Sequence, residues 1–170
     1  MALAVFAREG YRGTSLRDVA KESGLSLPGV MHYFESKEHL LTAILEKRDD
    51  AFVGDAPIDD DSIDVLVRAM RHNRDVPGLV QLYLTLAAAA EDPAHPAHEH
   101  FRDRFSQLRL ALAGAVRDRQ AHGAAPSDLD PEQIARLLIA AADGIQMQWS
   151  LDRSIDMAAD IEELWRLIAR

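Results

Sequence analysis

Thr14-Ser-Leu-Arg-Asp-Val-Ala-Lys-Glu-Ser-Gly-Leu-Ser-Leu-Pro-Gly-Val-Met-His-Tyr-Phe-Glu-Ser-Lys37 decides the fold. Leu16, Val19 and Ala20 fall at i, i+3 and i+4 and give one helix an apolar stripe. Ala20 is small where a second helix must cross closely, and Gly24 can take the positive φ of a tight turn. Val30 points back from the second helix into the same small core. Two helices joined by a short glycine turn form the helix-turn-helix unit, whose second helix enters the DNA major groove. Ser26 caps that second helix, and Pro28 fits its first turn, where no intrahelical donor is needed. Thr14 or Ser15 caps the helix before it, with Ser15 and Asp18 at capping-box spacing.

Working outward, a helix runs from the start of the chain to about Glu9 and stops at Gly10. On the other side Ser36 caps a fourth helix, whose Leu40, Leu41, Ile44 and Leu45 face the core. Gly54-Asp-Ala-Pro-Ile-Asp-Asp-Asp61 reads as the clearest loop and marks the division between a DNA-binding head, residues 1–47, and a second domain, residues 48–170, with the fourth helix bridging the two. A fifth helix carries Ile63, Leu66, Val67 and Met70 on one face, and Pro77-Gly78 opens a sixth, from Leu79 to about Ala90. Glu91-Asp-Pro-Ala-His-Pro96 breaks it, and a long seventh helix runs from about Ala97 to His122. Asp130-Pro131 is an N-cap followed by proline at the first helical position, and it starts an eighth helix. Its Ile134, Leu137, Leu138, Ala141, Ile145 and Trp149 form one broad apolar side. A ninth begins near Asp156, with Ile161, Leu164 and Ile168 in helical register. No period-two alternation is sustained, so the chain reads as all-α, with about nine helices.

The segment Phe6-Ala-Arg-Glu-Gly-Tyr-Arg-Gly-Thr-Ser15, followed by His32-Tyr-Phe-Glu-Ser-Lys-Glu38 and Leu40-Leu41, resembles the DNA-binding head of the tetracycline-repressor (TetR) family. Ala142-Asp-Gly-Ile-Gln-Met-Gln-Trp149, with Asp152 and Asp156-Met157 after it, is similar to the last two helices of many members. Residues 55–130 share only the helical pattern. Members usually have a longer first helix and a basic arm, whereas nine residues precede Gly10 here. Leu27, Pro28 and Gly29 stand where many members carry a basic or polar run, so fewer hydrogen-bonding side chains are available to bases.

The resemblance implies a homodimeric transcriptional regulator, most simply a repressor released from double-stranded operator DNA by a small-molecule effector. Thr14, Ser15 and Arg17 would lie at the phosphate backbone, and Ser26, Gly29 and His32 along the recognition helix. Tyr33 and Lys37 would contact phosphate. Gly144 among Ala140, Ala141 and Ala142 suits close helix approach, either at a subunit interface or within the chain. Ala141, Gly144, Ile145, Trp149, Ile161, Leu164 and Trp165 form the expected dimer surface, with both tryptophans equally able to fill core. Met70, Tyr83, Phe105, Leu108 and Met147 would line an effector cavity or serve as ordinary core.

Charge agrees with that division of labour. Residues 1–48 carry seven Lys or Arg against six Asp or Glu, a balance of +1, which leaves −10 for the remainder of a chain at −9. A near-neutral head on an acidic body limits non-specific DNA affinity and turns the head toward phosphate. No apolar run reaches membrane-spanning length and no leader pattern opens the chain, so a cytoplasmic location is expected. No cysteine is present, which excludes disulfides and thiolate metal sites.

Two other classes compete. An enzyme would need a nucleophile elbow, a phosphate-cradling glycine loop or a paired-histidine zinc motif, and none appears. No metal or cofactor is expected: His98 and His100 lie two apart on a helix, and His95, His98, Glu99 and His100 read as a solvated helix start. The remaining alternative is a helical dimeric interaction module without specific DNA binding, which Leu27 and Gly29 keep open.

Overall fold

Helix ends in this chain are set by backbone and cap chemistry. The computed structural model describes residues 2–54, 62–76 and 78–169, with side chains described except those of 48–54 and 62. The expected loop beyond Gly54, and Pro77, lie outside the described residues. Among those described, nine helices and no strands are present. They are α1 (Ala2–Gly13), α2 (Leu16–Glu22), α3 (Leu27–Tyr33), α4 (Lys37–Gly54), α5 (Ser62–Asp75), α6 (Leu79–Ala89), α7 (His98–Ala121), α8 (Pro131–Leu151) and α9 (Met157–Ile168). α1 is interrupted at Gly10, with φ 71° and ψ 171°, the residue expected to end it.

The chain divides into two compact units. One comprises Met1–Asp55 and Asp75–Arg102, the other Ala56–Arg74 and Asp103–Arg170. These units cut across the division expected after residue 47, because α6 packs against both α1 and α4. A Cβ at Gly78, the residue before α6, would lie 2.7 Å from the Ala7 Cα. Gly78 also has φ 79°, so both its space and its backbone conformation favour glycine.

In the first unit Val5 and Phe6 of α1, Val19 and Ala20 of α2, Val30 of α3, and Leu40, Leu41 and Leu45 of α4 are buried, as are Leu79, Leu82, Tyr83 and Leu86 of α6. The second unit buries Ile63, Leu66, Val67 and Met70 of α5 with Leu112 and Val116 of α7. It also buries Leu138 and Ala142 of α8 and Met157 and Ile161 of α9. One polar pair lies inside that apolar set: Asn73 Nδ2 donates to Gln146 Oε1 at 2.8 Å, tying α5 to α8. A buried amide is tolerated only when bonded in this way.

Candidate nucleic-acid interface

α2 is fixed at both ends by local hydrogen bonds. Ser15 is its cap rather than Thr14: the Asp18 N–H donates to the Ser15 hydroxyl at 3.3 Å, and the Ser15 N–H donates back to the Asp18 carboxylate at 2.9 Å. The Ser15 hydroxyl also donates to the Asp18 carboxylate, at 2.6 Å, and that bond first, then the one from the Ser15 N–H, holds the Asp18 carboxyl below the usual range. At the other end the Leu25 N–H reaches the Ala20 carbonyl at 2.9 Å and the Gly24 N–H reaches Lys21 O at 3.2 Å. This paired closure requires the left-handed conformation that Gly24 adopts, φ 67°. Ser26 then starts α3 at once, accepting the Gly29 N–H at 3.1 Å. α2 and α3 are packed together, and of α3 only Val30 is fully buried.

The expected contact residues separate by exposure. Ser15, Arg17, Ser26, Gly29, His32 and Tyr33 are all exposed. Tyr33 is 72% exposed, and its ring meets the His32 ring edge-on at 5.0 Å. Thr14 departs from expectation: it is buried, and its hydroxyl donates to the Gly10 carbonyl at 2.9 Å, so its side chain braces the head. A Cβ at Gly29 would stand 3.1 Å from the Ser26 hydroxyl, so the glycine leaves the cap of α3 uncrowded.

Lys37, half-buried at the start of α4, donates from Nζ to the Tyr11 carbonyl at 2.6 Å, with the ammonium 4.2 Å from the Tyr11 ring centroid. An ammonium has three protons, so this bond leaves others for an anion. Beside it the Tyr11 hydroxyl donates to Glu38 at 2.7 Å. Burial and that bond push the Tyr11 phenol up to about 12. Burial pushes Glu38 upward, but bonds from Tyr11, its own N–H and Ser36 outweigh this and hold it below the ordinary carboxylate range. Tyr11 and Glu38 were missed as a pair by sequence reasoning, because 27 residues separate them.

The second unit holds all of the expected dimer surface and four of the five effector residues. Ala141, Gly144, Ile145 and Leu164 are half-buried. Ile161 is completely buried within the chain, which corrects its assignment to the dimer surface. Trp149 and Trp165 are core as well, at 7% and 8% exposure, each with a guanidinium over its ring: Arg153 at 3.7 Å and Arg119 at 5.2 Å. A Cβ at Gly144 would meet nothing within 4 Å, so no intrachain crossing requires this glycine. Leu137, Met147, Leu151 and Leu167 are exposed apolar residues that the expected set lacked or placed elsewhere. Leu137, Gly144 and Leu151 recur every seven residues, a spacing that puts them on one helix face and was readable in the sequence.

The expected effector group is divided. Met70 is core of the second unit, and Phe105 and Leu108 are half-buried there. Tyr83 is core of the first unit, its ring 5.4 Å from that of Phe101. Met147 is 58% exposed, which corrects its placement in an interior cavity. The histidines at 95, 98 and 100 are half-buried rather than solvated. His95 Nδ1 accepts the Ala97 N–H at 3.1 Å, and the His98 ring bonds the Ala90 carbonyl at 2.8 Å, so these two brace the turn before α7. Among the described residues no helix is long and apolar enough to cross a membrane.

Known proteins are similar to this chain in sequence and in fold. Residues 1–44 match the family described as bacterial regulatory proteins, tetR family. The transcriptional regulator TtgR of Pseudomonas putida is 27% identical over 93% of this chain and 81% of its own length. The transcriptional repressor SCO4008 of Streptomyces coelicolor is 28% identical over 83% of this chain and 72% of its own. A TetR transcription regulator from Haloarcula marismortui superposes with a TM-score of 0.81 at 19% identity, covering 99% of this chain and 92% of that one. These relatives belong to a class of regulators, not enzymes, and a module without DNA binding is not favoured beside them. A capped helix pair with an exposed second helix, found at the segment that matches the tetR family's head, marks residues 1–44 as a tetR-type DNA-binding head and the chain as a DNA-binding transcriptional regulator.

Proposed function

We propose that the chain acts as a homodimeric repressor of a pseudo-palindromic operator, released by a small-molecule effector. Residues 1–47 form the DNA-binding domain, and residues 48–170 serve dimerisation and effector binding. Two heads occupy successive major grooves, roughly 34–36 Å apart or a simple multiple of that. The observation that carries the reading is α3 itself: with Val30 its one buried residue, it leaves His32 and Tyr33 exposed beside a backbone bared at Gly29. His32 reads a base edge, while Ser15, Arg17, Tyr33 and Lys37 position the head on phosphate. The name of the SCO4008 repressor supports the sign of regulation.

Exposed Leu137 and Leu151 in line with half-buried Gly144 on α8, with exposed Leu167 on α9, support pairing of two copies through these helices. Met70, Phe105 and Leu108, together with the Asn73–Gln146 pair, form the effector-responsive part of the second unit. The acidic balance beyond residue 48 favours a neutral or cationic effector. An effector that lowers operator affinity tenfold must prefer the released state by about 1.4 kcal/mol. Selection from random duplex DNA tests the operator reading: enrichment of a palindrome supports it, and a pool left unchanged after repeated rounds overturns it.

A further inference from the structure

α3 presents an outward surface with little of the chemistry that usually reads bases. With Val30 turned inward, the exposed positions are Pro28, Gly29, Met31, His32 and Tyr33. Pro28 and Gly29 bring no hydrogen-bonding side chain, and the Ser26 hydroxyl already accepts the Gly29 N–H. Met31 is 53% exposed and stands next to His32 on the solvent side of this seven-residue helix. A single exposed methionine is ordinary on a protein surface. This one occupies one of the few outward positions of the recognition helix, where a polar residue would serve solubility equally well.

In the major groove each base pair shows a distinct pattern, and thymine alone offers a methyl group, which apolar side chains contact. An unbranched thioether is long and adaptable enough to follow such a group across small changes of docking. We infer that Met31 reads the 5-methyl group of a thymine in each half-operator, so that specificity rests on apolar contact as well as on His32. This rests on the proposed docking of α3 in the major groove.

The test replaces each thymine of the selected operator in turn by deoxyuridine, which removes the methyl and keeps every hydrogen-bonding group. At one position per half-site the wild-type protein should lose about fourfold in affinity, the effect of one methyl-sized apolar contact. Met31→Ala should bind the parent operator more weakly by a similar factor and be indifferent to that replacement. Met31→Gln, equal in length but polar, should behave as Met31→Ala does, and Met31→Leu should retain the sensitivity. Because the side chain is exposed, all three variants should melt with the wild type. Equal methyl dependence in wild type and Met31→Ala would assign the contact to another residue and overturn the inference. Operator binding that ignores deoxyuridine at every position would overturn it while leaving the DNA-binding reading intact. Selection that enriches no sequence would remove that reading and this inference together.

Discussion

The head and the second unit hold their helices by different means. In the head, α2 and α3 have seven residues each, and their ends are closed by Ser15, Asp18, Gly24 and Ser26 acting on nearby backbone. In the second unit, α7 and α8 run for 24 and 21 residues, and α5 is joined to α8 by Asn73–Gln146 and to α9 by Arg71–Glu162. A short helix cannot hold itself by propensity, because nucleation consumes most of what one or two turns return. The head therefore relies on caps and turn glycines, while the second unit relies on long-range side-chain contacts. The first kind of device fixes a surface in one geometry, which suits recognition of a regular duplex. The second leaves polar groups inside a packed core, where a bound molecule could bias them.

The largest effect should come from the exposed face of α8. Gly144→Arg adds bulk where the chain itself has open space, so the monomer should fold as before. If two copies meet there, an unpaired guanidinium would be buried, at a cost of about 3–5 kcal/mol to association. Sedimentation should then show a monomer at concentrations where the wild type is a dimer. A variant dimer of unchanged affinity would break the assignment of this face.

Gly78→Ala comes next and strikes the first unit. The added methyl would overlap Ala7 and force an alanine to positive φ, together costing about 3 kcal/mol. Chemical unfolding measures it, and a loss below about 0.5 kcal/mol, the range of a neutral surface change, would mean that α1 and α6 can separate without penalty.

Asn73→Ala probes the second unit's own device. Leaving the buried Gln146 amide without its partner should cost about 1–3 kcal/mol. Replacing both residues by leucine should recover much of that loss, because paired apolar groups need no bonds. If the double variant is no more stable than Asn73→Ala, packing rather than hydrogen bonding dominates the site.

The smallest change is Tyr11→Phe, at about 1 kcal/mol near neutral pH. Its pH dependence is more telling than its size. Glu38 sits below its ordinary range in the folded head, so its contribution is present above the unfolded carboxylate pKa and is lost as pH falls through the folded value. Tyr11 is raised from 10.0 to about 12, so its contribution is full below pH 10 and is lost as pH rises through 12. The wild-type advantage over Tyr11→Phe should therefore narrow at both extremes. A constant advantage across the whole range would show that the phenol acts by packing alone.

These devices also explain what the sequence could disclose. Ser15 with Asp18, Gly24, Ser26, Pro28, Ser36 and Asp130 act on residues within a turn of themselves, so helix ends were readable from local pattern. Exposure on α3 followed from the single inward residue, Val30. Hidden from view were contacts that close over distance, Lys37 reaching Tyr11 and Asn73 meeting Gln146 across 73 residues, and the inward turn of the Thr14 side chain to Gly10 O. Apolar periodicity marked α8 and α9 correctly but could not divide an inward apolar residue such as Leu138 from an outward one such as Leu137. Both fit the same helical stripe, and only the packed neighbours distinguish them.

The central claim is that the head reads sequence rather than charge alone. The direct measurement is the ratio of affinities for the selected palindrome and a scrambled duplex of equal length, at one fixed salt concentration. The account predicts a ratio of about 10³ or more, in the range of specific regulators. It also predicts that raising salt weakens both complexes while a large preference persists. A ratio near one, with both complexes lost together as salt rises, would contradict it.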